Sequence, residues 1–285
     1  MRKEERHITD ADVKQSLPTN RKEVFFDLLK YRKMSLFALS CYTFMFFIPL
    51  AVDLFYFNYL ESMAIVADKF EYLFSLIFYS MLIMLPCMVI GFIGLAGAFY
   101  VAKKMVWQEG ISLASDFFKG IKENWKHAVI NGVIFGLVLF GLIVGGSYLY
   151  IYAQVAPVVK GIGLGALILL FLMFGMVIAL NFTQGVYYEN PYGVTLKNSF
   201  SFLGLLNWKV FLIYLLSTGV VVTLGLFNLL TLAIGLILFA VLNSVVIVLY
   251  TLVSHSAFDK YINKEHYPHM VGKGLYKESQ DDKEA

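Results

Sequence analysis

The chain has 285 residues, of which 59% are hydrophobic and 15% are charged, and its formal net charge is +3. Soluble domains contain roughly 45 to 50% apolar and roughly 25% charged residues. The composition therefore excludes an ordinary soluble protein and predicts an integral membrane protein. Cys41 and Cys87 both fall in apolar stretches, which argues against a disulfide framework or a cysteine zinc site.

Six apolar stretches are long enough to cross a bilayer, which takes roughly 20 helical residues. They cover about residues 34–57, 73–100, 128–150, 161–182, 210–226 and 230–255. We divide the last two at Phe227-Asn228, because one continuous helix would be about twice as long as a membrane is thick. The predicted organisation is a polar extension over 1–23, a membrane domain over 24–255 and a solvated cytoplasmic tail over 256–285.

Lysine and arginine are distributed unevenly between these stretches. Of the 23 lysine and arginine residues, 21 lie before the first stretch, after the sixth, or in the connections that follow the second and fourth. The other connections hold only Lys69 and Lys160. Because positive charge is retained in the cytoplasm during insertion, the pattern predicts a multi-pass protein of the cell membrane with both termini cytoplasmic.

A 17-residue pattern occurs twice, 83 residues apart, directly before the third and fifth stretches. Each copy runs from a glycine to an Asn-Trp-Lys triplet: Gly110-Ile111-Ser112-Leu113, Phe117 and Asn124-Trp125-Lys126, then Gly193-Val194-Thr195-Leu196, Phe200 and Asn207-Trp208-Lys209. Helical spacing of its apolar residues predicts a short amphipathic helix on the inner membrane surface, with Ser112 or Thr195 as its N-cap. The triplet is predicted to mark an elbow, because indole rings prefer the headgroup layer.

A fainter third copy precedes the first stretch, where Phe25-Phe26 aligns with Phe117-Phe118. With this copy, the predicted fold class is an all-α integral membrane protein of six transmembrane helices. The helices form three parallel repeats of an interfacial amphipathic helix plus a helical hairpin, related by an axis along the membrane normal.

Few residues in the apolar stretches have side chains that could bind a ligand or take part in a reaction. Asp53 is the only ionisable residue inside a predicted span, near its outer end. It either faces the bundle as a cation or proton site or reaches outer-leaflet water. Asn131, Asn181 and Asn243 are candidate polar contacts between helices, or polar groups along a solute path.

Two further patterns have structural interpretations. Gly132 and Gly136, then Gly141 and Gly145, are spaced by four residues, which predicts close helix packing. In the tail, His266 and His269 form an H-x-x-H pair without an evident third ligand, and we expect them to be solvated. No metal site and no cofactor are predicted.

Three segments carry a family resemblance: Gly97 to Lys104, Asp116 to Gly120 with Asn124-Trp125-Lys126, and Phe258 to Asn263 with Tyr267-Pro268. They resemble the YesL-like family of bacterial membrane proteins, from about Phe25 to about Tyr276. The resemblance implies a multi-pass protein of unassigned activity, associated with carbohydrate uptake and two-component sensing. It supplies no functional residue that matches this chain.

Three function classes stay open. We favour a non-enzymatic accessory or scaffold protein that docks a membrane protein partner or anionic lipid through its patterned residues: Asn124, Trp125, Lys126, Asn207, Trp208 and Lys209. By the family resemblance alone, the partner is a permease or a sensor kinase, and a homo-oligomer is a further option. The alternatives are a transporter or channel for a neutral small polar solute and an intramembrane enzyme on a lipid-linked substrate. No nucleic acid partner is predicted.

Overall fold

The computed structural model describes residues 18–66, 72–205 and 229–276, and these residues form helices and turns without a strand. In these ranges lie seven helices longer than one turn: α1 (Arg21–Tyr31), α2 (Lys33–Val66), α3 (Leu73–Val106), α4 (Leu113–Ile151), α5 (Pro157–Tyr187), α6 (Tyr192–Leu205) and α7 (Leu229–Phe258). Helix α3 is central, because it packs against α2, α4, α5 and α7.

Five of these helices, α2 to α5 and α7, are long and apolar enough to cross a membrane. Each contains one of the predicted spans, over 34–57, 73–100, 128–150, 161–182 and 230–255. The predicted fifth span over 210–226 lies outside the described residues, as does most of the polar extension over 1–23. The all-helical class and the membrane character of the chain therefore agree with the sequence.

The prediction that the helix bends or breaks at Asn124-Trp125-Lys126 is wrong. Helix α4 contains 39 residues and continues from the amphipathic segment into the apolar stretch without interruption. The Asn124 side-chain amide donates a hydrogen bond to the Gly120 carbonyl one turn earlier, at 3.0 Å. Asn124 therefore bonds within its own helix.

The apolar face of this segment also packs differently from the prediction. Phe117 is fully buried, and its ring contacts those of Tyr42 and Phe46 in α2. Gly120 lies directly against Tyr100 of α3, with no room for a side chain. The segment is therefore part of the helical core, whereas the sequence predicted that it lies flat on acyl chains.

The predicted N-caps are also wrong in detail. Ser112 precedes α4, but its hydroxyl forms no capping hydrogen bond. Instead, the Asp116 carboxylate accepts the Ser112 N–H at 2.8 Å. Thr195 lies inside α6 and its hydroxyl donates to the Pro191 carbonyl. In front of α2, the short α1 is separate and is capped by Asn20, whose side chain accepts the Glu23 N–H.

Glycines allow α4 to approach α3. A Cβ atom on Gly132 would lie 2.9 Å from Val89 Cα, and one on Gly136 would lie 2.8 Å from the Leu85 side chain. The other predicted pair differs, because Gly141 has no neighbour within 4 Å. Only the first pair therefore packs at close approach.

The predicted solvated tail is wrong up to Tyr276, because the chain after α7 folds back onto the bundle. It forms a π-helical turn over Asp259–Asn263, a single turn over Lys264–His266 and a 3₁₀ turn over Pro268–Met270. Met270 and Leu275 pack against the core, which provides the apolar contact that a solvated tail would lack. The Tyr276 N–H donates to the Pro18 carbonyl at 2.9 Å. We call residues 259–276 the C-terminal segment.

Candidate functional site

One end of the bundle brings together segments that are distant in sequence. Lys104 of α3 donates to both carboxylate oxygens of Asp116 in α4 at 2.8 Å, which joins the two helices. Lys103 donates to the Val186 carbonyl at the end of α5, at 2.7 Å. Helix α1 and the C-terminal segment meet at the same level. We call this the basic end, because the lysines of the α3–α4 region lie here.

Asp259 is the centre of the contacts at the basic end. Its Oδ2 atom accepts hydrogen bonds from Arg21 Nη2 at 3.0 Å and from the Gly272 N–H at 3.2 Å. Its Oδ1 atom accepts from Asn263 Nδ2 at 2.8 Å. One carboxylate therefore joins α1, the end of α7 and the C-terminal segment.

His255 is fully buried beside Asp259. The Trp107 indole N–H donates to His255 Nε2 at 3.0 Å, so Nε2 carries a lone pair. The other ring nitrogen, Nδ1, lies 3.3 Å from Asp259 Oδ2 and also contacts Arg21 Nη2. His255, Asp259 and Arg21 therefore meet at one point.

An aspartate behind a histidine is also the arrangement of a general base. In this protein the Nε2 lone pair, which would take the proton, is already used by Trp107. The ring has no exposed surface through which a substrate could reach it. We therefore interpret the Asp259–His255 pair as a structural joint between helices.

Trp107 lies between two lysines from different segments. Lys273 Nζ is 3.6 Å from the centroid of the indole ring, and Lys103 Nζ is 4.6 Å from it. Lys273 also pairs with Glu109 at 3.0 Å. Ammonium groups are attracted to the face of an indole, so these contacts attach the C-terminal segment to the α3–α4 connection.

Tyr188 completes the joint on the side of α5. Its hydroxyl donates to Asn263 Oδ1 at 2.6 Å, and its ring packs on Tyr267 with centroids 5.1 Å apart. Burial and the Asp259 carboxylate raise the pKa of the Tyr188 phenol above its usual range, which keeps it a neutral donor.

The predicted docking residues of the first copy lie on α4. Trp125 is 48% exposed, and Lys126 Nζ is 5.9 Å from the centroid of its ring. Asn124 is half-buried and bonded within its own helix. The second triplet, Asn207, Trp208 and Lys209, lies outside the described residues. The first copy therefore presents an exposed indole and an exposed lysine on the surface of α4.

Asn131 and Asn181 form a direct contact between membrane helices. Asn131 Nδ2 of α4 donates to Asn181 Oδ1 of α5 at 3.0 Å, and both side chains are fully buried. The Tyr192 hydroxyl of α6 donates to Asn131 Oδ1 at 2.8 Å. Burial raises the pKa of Tyr192 to about 12, so it is a neutral donor. Three helices are joined by this chain of hydrogen bonds.

The same region contains buried atoms without a hydrogen-bond partner. Asn181 Nδ2 is an unused donor, and Gln184 Oε1, one turn further along α5, is an unused acceptor. Gln184 Nε2 donates to Ser199 Oγ of α6 at 3.1 Å. One buried donor and one buried acceptor of α5 are therefore without a partner among the described residues.

Asn243 joins α7 to α2. Its Nδ2 atom donates to the Ser40 carbonyl at 3.1 Å, and the neighbouring Ser244 N–H donates to Ser40 Oγ at 3.0 Å. It does not contact Asn131 or Asn181 in the described hydrogen bonds. The three asparagines therefore form two separate helix contacts.

Asp53 lies on α2, far from the basic end, and only 7% of its surface is exposed. Of its two predicted environments, the structure favours the one that faces the bundle, because protein covers the side chain. Ser80 of α3 lies beside the carboxyl group.

His266 and His269 are both exposed in the C-terminal segment. Within residues 18–66, 72–205 and 229–276, no group of three His, Cys, Asp or Glu side chains is arranged to hold a metal ion. Comparisons with protein-family models, curated proteins and solved structures gave no match for this chain.

Sequence reasoning missed the residues of the basic-end joint: Arg21, Trp107, His255 and Asp259. Arg21 and Asp259 are separated by 238 positions, so local patterns cannot pair them. One signal in the sequence is the position of His255 at the end of an apolar stretch, where a polar group needs a partner.

Proposed function

We propose that the chain is a non-enzymatic membrane scaffold or accessory protein whose basic end docks a membrane protein partner. In this proposal it has six spans in three parallel repeats, and its basic end and both termini face the cytoplasm. The observation that carries the proposal is the joint around Asp259, which fixes α1, α3, α7 and the C-terminal segment into one surface.

Rigidity of this surface supports docking. A pre-organised surface loses little conformational entropy on binding, which leaves more of the contact energy for affinity. The buried polar groups at the basic end are largely used in contacts within the chain, as His255 illustrates. They therefore support a structural interpretation better than a catalytic one.

Exposed groups on α4 supply the contact chemistry of this proposal. Trp125 and Lys126 lie on the outer face of α4, together with exposed Lys119 and Lys122. Exposed tryptophan is a frequent anchor at protein interfaces, and lysines attract acidic protein surfaces or anionic lipid headgroups. By the resemblance to the YesL-like family, the partner class is a permease subunit or a sensor kinase of carbohydrate uptake.

The test is purification of the tagged full chain from its native membrane in mild detergent, followed by mass spectrometry. We expect one membrane protein in stoichiometric amount with the wild type. Trp125→Ala with Lys126→Ala should reduce its recovery about tenfold or more, because an interface anchor contributes about 2 kcal/mol.

The matched control is Tyr150→Ala, which removes an exposed aromatic residue at the opposite end of α4. It should leave partner recovery unchanged. Equal recovery with all three proteins, or recovery of the chain alone, would argue against the proposal.

A second candidate function is transport of a neutral small polar solute, favoured by the unused Asn181 and Gln184 atoms. Against it, the asparagines form two separate contacts between helices and no continuous polar path in the described residues. Purified protein in liposomes should then move no sugar or polyol under a gradient. Flux that is lost in Asn181→Leu would establish the transporter instead.

A further inference from the structure

Two buried polar groups face each other near the end of the bundle opposite to the basic end. Asp53 Oδ2 of α2 and Ser80 Oγ of α3 are both buried, and neither atom has a hydrogen-bond partner of good geometry among the described residues. Each residue is 7% exposed. Ser80 is the side chain beside the Asp53 carboxyl group.

A carboxylate in this position is costly unless a positive species neutralises it. Burial of an unpaired ion in an apolar environment costs several kcal/mol or more. The same stretch of α2 is otherwise apolar, because Phe44, Ala51 and Phe55 form a cluster with Leu232 and Leu236 of α7. No lysine, arginine or histidine of the described residues pairs with Asp53 in an ion pair.

The number of available ligands distinguishes a proton from a metal ion. Calcium and magnesium take six or more oxygen ligands, whereas one carboxyl and one hydroxyl group lie together here. A proton requires one basic oxygen and gives an O–H donor. We propose that Asp53 is a proton-binding site, at which the carboxylate takes up one proton and the new O–H donates to Ser80 Oγ.

The depth of the site indicates the side from which the proton comes. Asp53 lies 20 residues after Lys33, which corresponds to about 30 Å along a helix. Ser80 lies 23 residues before Lys103, or about 35 Å. Both distances are close to the thickness of a hydrocarbon core, about 30 Å. The proton therefore exchanges with the medium opposite to the basic end.

Few other ionisable groups influence the site. From α3, the Cys87 thiol is the titratable group that interacts electrostatically with Asp53. On α7, the residues that pack against this stretch of α2, Leu232 and Leu236, are apolar. On α2 itself, Glu61 lies two turns further along. The proton equilibrium at Asp53 is thus governed by burial and by Ser80.

The experiment is infrared difference spectroscopy of the full chain in lipid nanodiscs, titrated across neutral pH. We expect the carbonyl band of a protonated carboxyl group to grow as the pH is lowered and to be lost in Asp53→Asn. Ser80→Ala should keep the band and shift its frequency, because the hydrogen bond to Oγ is removed. The matched control Glu61→Gln should keep the band unchanged.

A second measurement covers the case in which Asp53→Asn does not fold. Dicyclohexylcarbodiimide reacts with protonated carboxyl groups in apolar surroundings, and mass spectrometry locates the adduct. In the wild type we expect labelling of Asp53 at neutral pH in clear excess over the exposed Glu123. Equal labelling of the two residues, or a band that survives in Asp53→Asn, would overturn the proposal. Loss of the labelling on addition of sodium at constant pH would also overturn it, because the ligand would then be a metal cation.

Discussion

Asp259 shows how one side chain can determine the arrangement of a membrane protein surface. Its two oxygens accept from Arg21, Asn263 and Gly272, and His255 lies against the same group. A buried carboxylate is stabilised when several donors surround it. Removal of its charge should therefore affect all of the connected segments together.

We expect Asp259→Asn to lower the free energy of unfolding by about 2 to 4 kcal/mol, because Arg21 is left partly buried without its counter-ion. The measurement is thermal unfolding of the purified protein in detergent, with Glu265→Gln on the exposed side of the same segment as control. A melting temperature equal to that of the control would show that Asp259 is not a joint.

Gly274 is a second residue on which the joint depends. Its φ angle is +84°, and a Cβ atom would lie 2.8 Å from Trp107 Cα. We expect Gly274→Ala to detach the C-terminal segment and to increase the rate of tryptic cleavage after Lys273 by about tenfold, since about 1.4 kcal/mol is a factor of ten. Gly110→Ala is the control, because nothing lies within 4 Å of that glycine. Similar cleavage of both variants would contradict this account.

At the scale of elements, close packing of α4 on α3 explains why the amphipathic segment is part of a long helix. Phe117 and Gly120 face α2 and α3, so the apolar face is used inside the bundle. Helical periodicity shows which residues share a face, but it does not show whether lipid or protein covers that face. The elbow was mispredicted for this reason.

Close approach at Gly132 provides a test of this packing. We expect Gly132→Leu to lower the free energy of unfolding by about 1 to 3 kcal/mol, because the side chain would overlap the backbone at Val89. Gly141→Leu, nine residues along the same helix, should change it by less than about 0.5 kcal/mol. Thermal unfolding of both variants in detergent distinguishes the two positions, and equal effects would refute the packing.

The sequence predicted the five described membrane helices closely, because each is encoded by local hydropathy. It also identified Asn131, Asn181 and Asn243 as polar residues in the bundle, but not which of them meet. It missed the Arg21–Asp259 contact and the folded C-terminal segment. Those features depend on residues brought together by the tertiary fold, and a single sequence contains no periodic signal for them.

At the scale of the whole molecule, the two ends of the bundle have different chemistry. The basic end is a network of ion pairs and hydrogen bonds that joins four segments, and Trp125 and Lys126 are exposed on α4. The opposite end contains the buried pair of Asp53 and Ser80. In our proposals, the first end contacts a partner and the second binds a proton.

The most direct test of the scaffold proposal is photo-crosslinking in the native membrane. A photoreactive phenylalanine analogue replaces Trp125 in one protein and Tyr150, which is 75% exposed at the opposite end of α4, in a second. We predict a discrete adduct with one protein from position 125 and none from position 150. Adducts with lipid alone at position 125, or the same protein adduct from both positions, would contradict a docking surface at the basic end.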